Sequence, residues 1–164
     1  METKRIAIVP GSFDPITVGH LDILRRASQE YDVVYLAVMI NAQKSYMFTM
    51  EQRKQIAKAA IAGLDNVTVI ASEGMLWQLA KDLGACAIVK GYRNETDLAY
   101  EESMAAFNAE HYPQAKTVLL KADPMLIDVS STAVRSKILA GEDLQGILPQ
   151  EGIDEIYKIL PRRL

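Results

Sequence analysis

The side chains able to do chemistry in this chain fall into short clusters. His20 closes the run Gly11-Ser12-Phe13-Asp14-Pro15-Ile16-Thr17-Val18-Gly19-His20, Lys44 lies in Asn41-Ala42-Gln43-Lys44-Ser45, Lys90 and Arg93 share Lys90-Gly91-Tyr92-Arg93, and hydroxyls follow one another at Ser130-Ser131-Thr132. The first cluster stands between a short β-branched run, Ile6-Ala7-Ile8-Val9, and a helix-spaced set, Leu21, Ile23, Leu24, Ala27 and Ser28. That pattern describes a buried strand, a turn at Pro10-Gly11 and a helix with Thr17 as its N-cap. A helix start carries unpaired N–H donors and the positive end of the helix dipole, so the turn is a natural anion cradle and a phosphate-bearing ligand is expected. The spacing excludes the commoner phosphate loops. Gly11 and Gly19 are eight positions apart with a histidine after the second, and no G-x-G-x-x-G occurs.

The elements that must position these clusters alternate along the chain. Strands are expected over 4–10, 32–40, 66–72, 85–90 and 116–121, and helices over 18–30, 50–64, 75–83, 98–111, 131–140 and 152–160. The second helix opens on a capping box, Thr49-Met50-Glu51-Gln52, and is expected to close at Gly63. Such alternation predicts an α/β fold, a doubly wound parallel sheet of five strands with two helices after the last. Ligands of such sheets sit at the carboxyl ends of the strands. That rule gathers Ser12, His20, Lys44, Lys90, Arg93 and Ser130-Ser131-Thr132 on one edge, as a polyphosphate site requires.

Composition sets the bounds. The chain has 164 residues, 49% of them hydrophobic, a net charge of −3 and a single cysteine. One domain spanning 1–164 is expected, with no internal repeat or linker. An acidic chain has no global field for nucleic acid or anionic lipid, so phosphate binding must be local. Cys86 lies in an apolar run and reads as a buried thiol. The apolar stretch before Pro10 is too short for a signal peptide, no run approaches membrane-spanning length, and a soluble cytoplasmic protein is expected. His111, beside Tyr112-Pro113, reads as a solvated residue at a helix end, and two histidines without clustered cysteines build no protein metal cage.

Thr17-Val18-Gly19-His20 behind Gly11-Ser12-Phe13-Asp14-Pro15 resembles the (H/T)-x-G-H signature of the nucleotidylyltransferase superfamily, and Pro10 to Thr17 is similar to its phosphopantetheine adenylyltransferase branch. The resemblance runs over nearly the whole chain and implies a Rossmann-like domain. It implies a reaction in which the phosphate of 4′-phosphopantetheine attacks the α-phosphate of ATP, giving dephospho-coenzyme A and pyrophosphate. No protein nucleophile is needed for that chemistry, only in-line positioning and stabilisation of charge on phosphorus.

The resemblance also implies roles. His20 matches the signature histidine that donates to the α-phosphate, as neutral imidazole or as imidazolium, and Lys44 the lysine that holds the transferring phosphates. Ser12 keeps the hydroxyl of the usual threonine and reaches both the acceptor phosphate and ATP, while Phe13 packs beside the nucleotide or in the core. Lys90 stands where an arginine is commoner and contacts the acceptor; Leu76 lines the pantetheine arm. Gly91, Tyr92, Arg93 and Glu101 fall on the ATP side, with Arg93 also catalytic. Val129-Ser130-Ser131-Thr132 resembles a second signature, Ile-Ser-Ser-Thr/Ser, that grips ATP phosphates, although by itself such a run is more often a helix cap. Leu126, Ile127 and Asp128 just upstream border the adenine and lack the usual aromatic residue. Magnesium carried by ATP, a homohexamer, and coenzyme A as a feedback ligand are implied as well. A sibling transferase acting on nicotinate mononucleotide or glycerol 3-phosphate, and a nucleotide-binding module without catalysis, are the alternatives. Thr17, where those siblings more often have histidine, argues against the first, and His20, Lys44, Arg93 and Ser130 together against the second.

Overall fold

In a computed structural model that describes residues 3–161, the chain alternates strand and helix: β1 Ile6–Gly11, α1 Val18–Glu30, β2 Val33–Met39, α2 Met50–Ala60, β3 Val67–Ser72, α3 Leu76–Leu83, β4 Ala87–Tyr92, α4 Glu95–His111, β5 Lys116–Lys121, α5 Ser131–Ala140 and α6 Gln150–Ile159. The strands form one sheet in the order β3-β2-β1-β4-β5, and every pairing is parallel. This is a Rossmann-like, doubly wound α/β fold. A short 3-10 turn, Pro124–Leu126, bridges β5 and α5.

β1 is central and its side chains alternate between two cores. Ala7 and Val9 join the larger one with Leu24 of α1, Ile56 of α2, Val134 of α5 and Ile156 of α6; Ile8 points the other way, toward Ala80 of α3. A strand buried on both faces must be apolar at every position, which is why its run shows no polar alternation. Full burial of Leu24, Ile56 and Ile156 contributes about 1.5–3 kcal/mol each.

Helix ends follow their caps. α2 stops at Ala60, short of Gly63, because Leu64 N–H bonds to Ile61 O at 2.8 Å and tightens the chain into a turn around the buried Ile61. α4 starts at Glu95 rather than near 98, because the Asn94 side chain accepts from Asp97 N–H at 2.8 Å. α3 and α5 end at Gly84 and Gly141, with φ of 66° and 69°, a left-handed conformation that a side chain would strain. Cys86 is only partly buried, packed against the larger core. His111 is exposed yet not simply solvated: it stacks on Trp77 with ring centroids 4.9 Å apart.

Candidate active site

A cleft of about 460 Å³ opens at the carboxyl ends of β1 and β4, where the chain's connections leave in opposite directions from the middle of the sheet. Such a switch point is where open α/β sheets hold ligands. Its lining brings together Ser12, Phe13, His20, Lys44, Lys90, Gly91, Tyr92, Arg93, Glu101, Leu126, Val129, Ser130, Ser131 and Thr132. Leu76 lies elsewhere, packed on the smaller core, and Ile127 and Asp128 are not part of the lining.

The first cluster is held from its main chain. Thr17 caps α1 and forms a reciprocal box with His20: Thr17 Oγ1 accepts from His20 N–H at 3.4 Å, and His20 Nδ1 accepts from Thr17 N–H at 3.0 Å. A backbone N–H can only donate, so Nδ1 must be the unprotonated nitrogen and Nε2 carries the ring's proton. Burial, and next the nearby Arg93 guanidinium, lower the His20 pKa from 6.5 to about 4. His20 is therefore a neutral imidazole near neutral pH, with an N–H to give. Phe13 meets it edge-on, the ring centroids 4.9 Å apart. Phe13 is buried with a φ of 48°, a left-handed backbone that costs about 1–2 kcal/mol in a residue with a side chain. Gly11 makes room for it, since a Cβ there would lie 3.1 Å from Phe13 Cε2 and 3.2 Å from Cζ.

Three donors grip the turn's carbonyls. Arg53 of α2 donates from Nη1 to Ser12 O at 2.7 Å, Arg135 of α5 donates from Nη1 to Asp14 O at 2.8 Å, and Ser131 Oγ donates to Pro15 O at 2.8 Å. The Asp14 carboxylate is buried and accepts from Met47 N–H and Phe48 N–H at 2.9 and 3.0 Å. That pair of bonds ties the first cluster to the segment carrying Lys44.

Around the opposite wall the charges come paired. Lys90 Nζ stands 2.9 Å from Glu101 Oε2, close but not aligned as a hydrogen bond. Arg93 is braced by Asp97, whose Oδ2 accepts from both the Arg93 backbone N–H and Nε at 3.1 Å. With Nε occupied, the guanidinium's outer nitrogens are left to meet a ligand. Beyond them α5 begins: Ser130 Oγ accepts from Ala133 N–H at 3.0 Å as an N-cap, and Thr132 Oγ1 accepts from Arg135 Nη2 at 3.1 Å. The hydroxyls thus shape the helix start, while the amides of Ser131 and Thr132 belong to the first turn, which has no intrahelical acceptor. α1 and α5 both present N-termini to the cleft, and with Lys44, Lys90 and Arg93 they make it an anion site in an acidic chain.

Several members of this site were not singled out from the sequence. Arg53 had a signal: with Ile56, Ala57 and Ala60 it occupies the buried face of α2, and an arginine on an apolar stripe needs a partner. Asp14 reads in the sequence as part of a turn, and its bonds to residues over thirty positions away leave no local trace. Asp97 stands four residues beyond Arg93, a pairing distance on a helix. Gly19 lines the cleft too; a Cβ there would come within 3.4 Å of Thr17 Oγ1 and 3.5 Å of Val129 O.

Comparison with known proteins bears on what such a cleft is for. Residues 8–137 match the family model described as cytidylyltransferase-like. The phosphopantetheine adenylyltransferase of Limosilactobacillus reuteri is 40% identical over 159 residues, covering 97% of this chain and 92% of that protein. The proteins of the same name from Streptococcus gordonii and Clostridium beijerinckii are 40% and 36% identical, over 95% and 93% of this chain and 96% of each relative. A crystal structure from Vibrio parahaemolyticus, assigned as a nicotinate-nucleotide adenylyltransferase, superposes with a TM-score of 0.67 at 18% identity, covering 94% of this chain and 99% of that one, and shows the shared fold.

Proposed function

Because the chain belongs to the cytidylyltransferase-like family and, within it, to the phosphopantetheine adenylyltransferases, we infer that it is an enzyme that transfers the adenylyl group of ATP to 4′-phosphopantetheine. In that reaction an oxygen of the acceptor phosphate bonds to the α-phosphorus as the bond to the β-phosphate oxygen breaks, and pyrophosphate leaves. The products are dephospho-coenzyme A and pyrophosphate. The geometric observation that supports adenylyl transfer is the Thr17 N–H bond to His20 Nδ1, which fixes the tautomer of His20. Its Nε2–H is presented by a capping box beside the N-terminus of α1, so it meets charge growing on the α-phosphate oxygens without first changing protonation state. Donors preorganised in this way are worth about 10²–10³ in rate each.

The remaining residues position and neutralise. Lys44 stabilises the transferring phosphates from one wall and Arg93, braced by Asp97, from the other. Ser12 and Lys90 take the acceptor phosphate. Glu101, Tyr92 and Gly91 lie on the nucleotide side with Leu126 and Val129, and the start of α5 takes ATP phosphate through its amides. The cleft carboxylates are engaged, Asp14 by amides, Asp97 by Arg93 and Glu101 by Lys90, and among the described residues no group of three or more histidine, cysteine, aspartate or glutamate side chains is placed to hold a metal ion. This donor set suits Mg²⁺ entering with ATP and held by phosphate oxygens and water, where it would neutralise charge on the triphosphate. A cytoplasmic enzyme, a homohexamer and competition by coenzyme A at this cleft complete the reading; among the described residues no helix is long and apolar enough to cross a membrane. Assembly is supported by α4, which buries only Asn108 and exposes Tyr100, Met104 and Phe107.

Pyrophosphate release with ATP and a panel of acceptors tests the assignment. Release with phosphopantetheine is expected; release only with nicotinate mononucleotide or glycerol 3-phosphate would move the enzyme to a sibling specificity, and none with any acceptor would leave a binding module.

A further inference from the structure

We propose that Asp14 is a positioning residue that acts through Lys44, fixing the lysine's place in the cleft it shares with His20 by holding the end of its loop. Residues 41–45 are exposed and belong to no helix or strand, so nothing in the sheet itself places Lys44. The loop is instead held at both ends. On the near side Lys44 N–H bonds to Asn41 O at 3.0 Å, Asn41 N–H donates to Tyr46 Oη at 2.7 Å, and the Tyr46 ring lies under the Arg53 guanidinium, 4.0 Å from Cζ to centroid. On the far side Asp14 spends both carboxylate oxygens on Met47 N–H and Phe48 N–H, three and four residues past Lys44. Phe48 is itself sunk in the core.

The same aspartate sits between Phe13 and the capped turn that presents His20, so one rigid side chain spans the two catalytic segments. Its carbonyl accepts from Arg135 Nη1, whose distance to Asp14 Oδ2 is 3.7 Å, and this closes the link to the start of α5. A buried carboxylate whose acceptors all face amides and a guanidinium is committed to this geometry. Transfer between two anions tolerates little misplacement of the cation that holds them. Asp14 therefore acts on rate through where it leaves the Lys44 ammonium.

The proposal rests on the adenylyl-transfer reading, and a double-mutant cycle separates the two. The wild-type enzyme, Asp14→Asn, Lys44→Ala and the double variant are compared by kcat for pyrophosphate release at saturating substrates, with circular dichroism and thermal melts to establish folding. Asparagine turns one acceptor into an NH₂ that must face an amide donor, so the loop end shifts. Expected is a 10–100-fold loss of kcat in Asp14→Asn with KM for ATP changed less than threefold, and no more than a threefold further loss when Asp14→Asn is added to Lys44→Ala. A full multiplicative loss in the double variant, or wild-type kcat in folded Asp14→Asn, overturns the proposal. Should the asparagine variant fail to fold, Asp14→Glu, which keeps the charge and both acceptors but displaces them by one carbon, is put through the same cycle with the same two outcomes. Inactivity of the wild-type protein toward phosphopantetheine would instead defeat the underlying reading.

Discussion

Thr17 N–H and His20 Nδ1 meet at 3.0 Å, and that one bond decides which face of the imidazole carries a proton. The usual consequence of putting histidine at a helix N-terminus is a lowered pKa, because the dipole and the desolvated ring both oppose imidazolium. Here Arg93 adds to the effect and the value falls to about 4. Between pH 6.5 and about 4 the unfolded chain binds a proton that the folded chain does not, so this group's contribution to stability is complete above pH 6.5 and is lost as pH falls through that window. The loss reaches about 3 kcal/mol. Urea titrations of wild type and His20→Gln over pH 4–7 are expected to show wild type losing stability relative to the variant on acidification. Equal slopes would mean that His20 titrates normally.

Catalysis follows from the same bond. His20→Ala is expected to lower kcat by about 10²–10³ with ATP affinity little changed, and kcat of the wild type should show no inflection near pH 6.5 belonging to this ring. A kcat that falls as pH rises through 6.5, with that inflection missing in the His20 variant, would mean that imidazolium is the working form.

Lys90 and Glu101 make a second prediction. Lysine supplies a compact charge rather than arginine's fork, and here that charge already leans on Glu101 at 2.9 Å. Lys90→Ala should weaken phosphopantetheine by about 1.5–3 kcal/mol, the size of a lost charged hydrogen bond, and Glu101→Gln should weaken ATP while leaving the acceptor as tightly bound or tighter, since its cation is released. Calorimetric titration of each variant with each ligand checks the assignment; loss of ATP affinity alone in Lys90→Ala would place Lys90 on the nucleotide side.

Gly11→Ala tests the strained turn. The new methyl would press on the far edge of a ring that is buried and cannot retreat, so destabilisation by about 1–3 kcal/mol is expected from overpacking, with kcat falling as Phe13 pushes on His20. In a Phe13→Leu background, where that ring edge is missing, the added cost of Gly11→Ala should largely vanish. Additive costs would show that the ring is not what Gly11 accommodates.

Light scattering checks the assembly. A hexamer at micromolar concentration is expected, and Tyr100→Glu combined with Phe107→Glu on α4 should lower the oligomeric state while leaving the far-ultraviolet circular dichroism unchanged. A wild-type monomer at that concentration removes the assembly from the reading.

How far the sequence could be read depended on the range of the interactions. The Ile6–Val9 run, the Thr17 cap and the Thr49 box act within a few residues, so the elements and their alternation were legible. So was the edge on which Ser12, Lys44, Lys90 and Ser130 gather, because strand ends in a parallel sheet share an edge. What escaped was pairing across the chain. Arg53 to Ser12 O spans 41 positions and Arg135 to Asp14 O spans 121, and neither has a periodicity to betray it. The charge state of His20 stays open in the sequence, neutral or protonated, because Thr17 reads there as an N-cap alone and the return bond from its N–H to His20 Nδ1, which fixes the tautomer, is seen only in the structure.

The grip on the first cluster has an outcome of its own. Arg53, Arg135 and Ser131 all hold carbonyl oxygens, of Ser12, Asp14 and Pro15, atoms that every amino acid possesses. At Ser12 the mould clasps only the main chain and is indifferent to the ornament hung on it, so that residue is free to trade its hydroxyl for another without the turn losing its outline. Substrate preference at that position can therefore drift while the scaffold beneath it stands still.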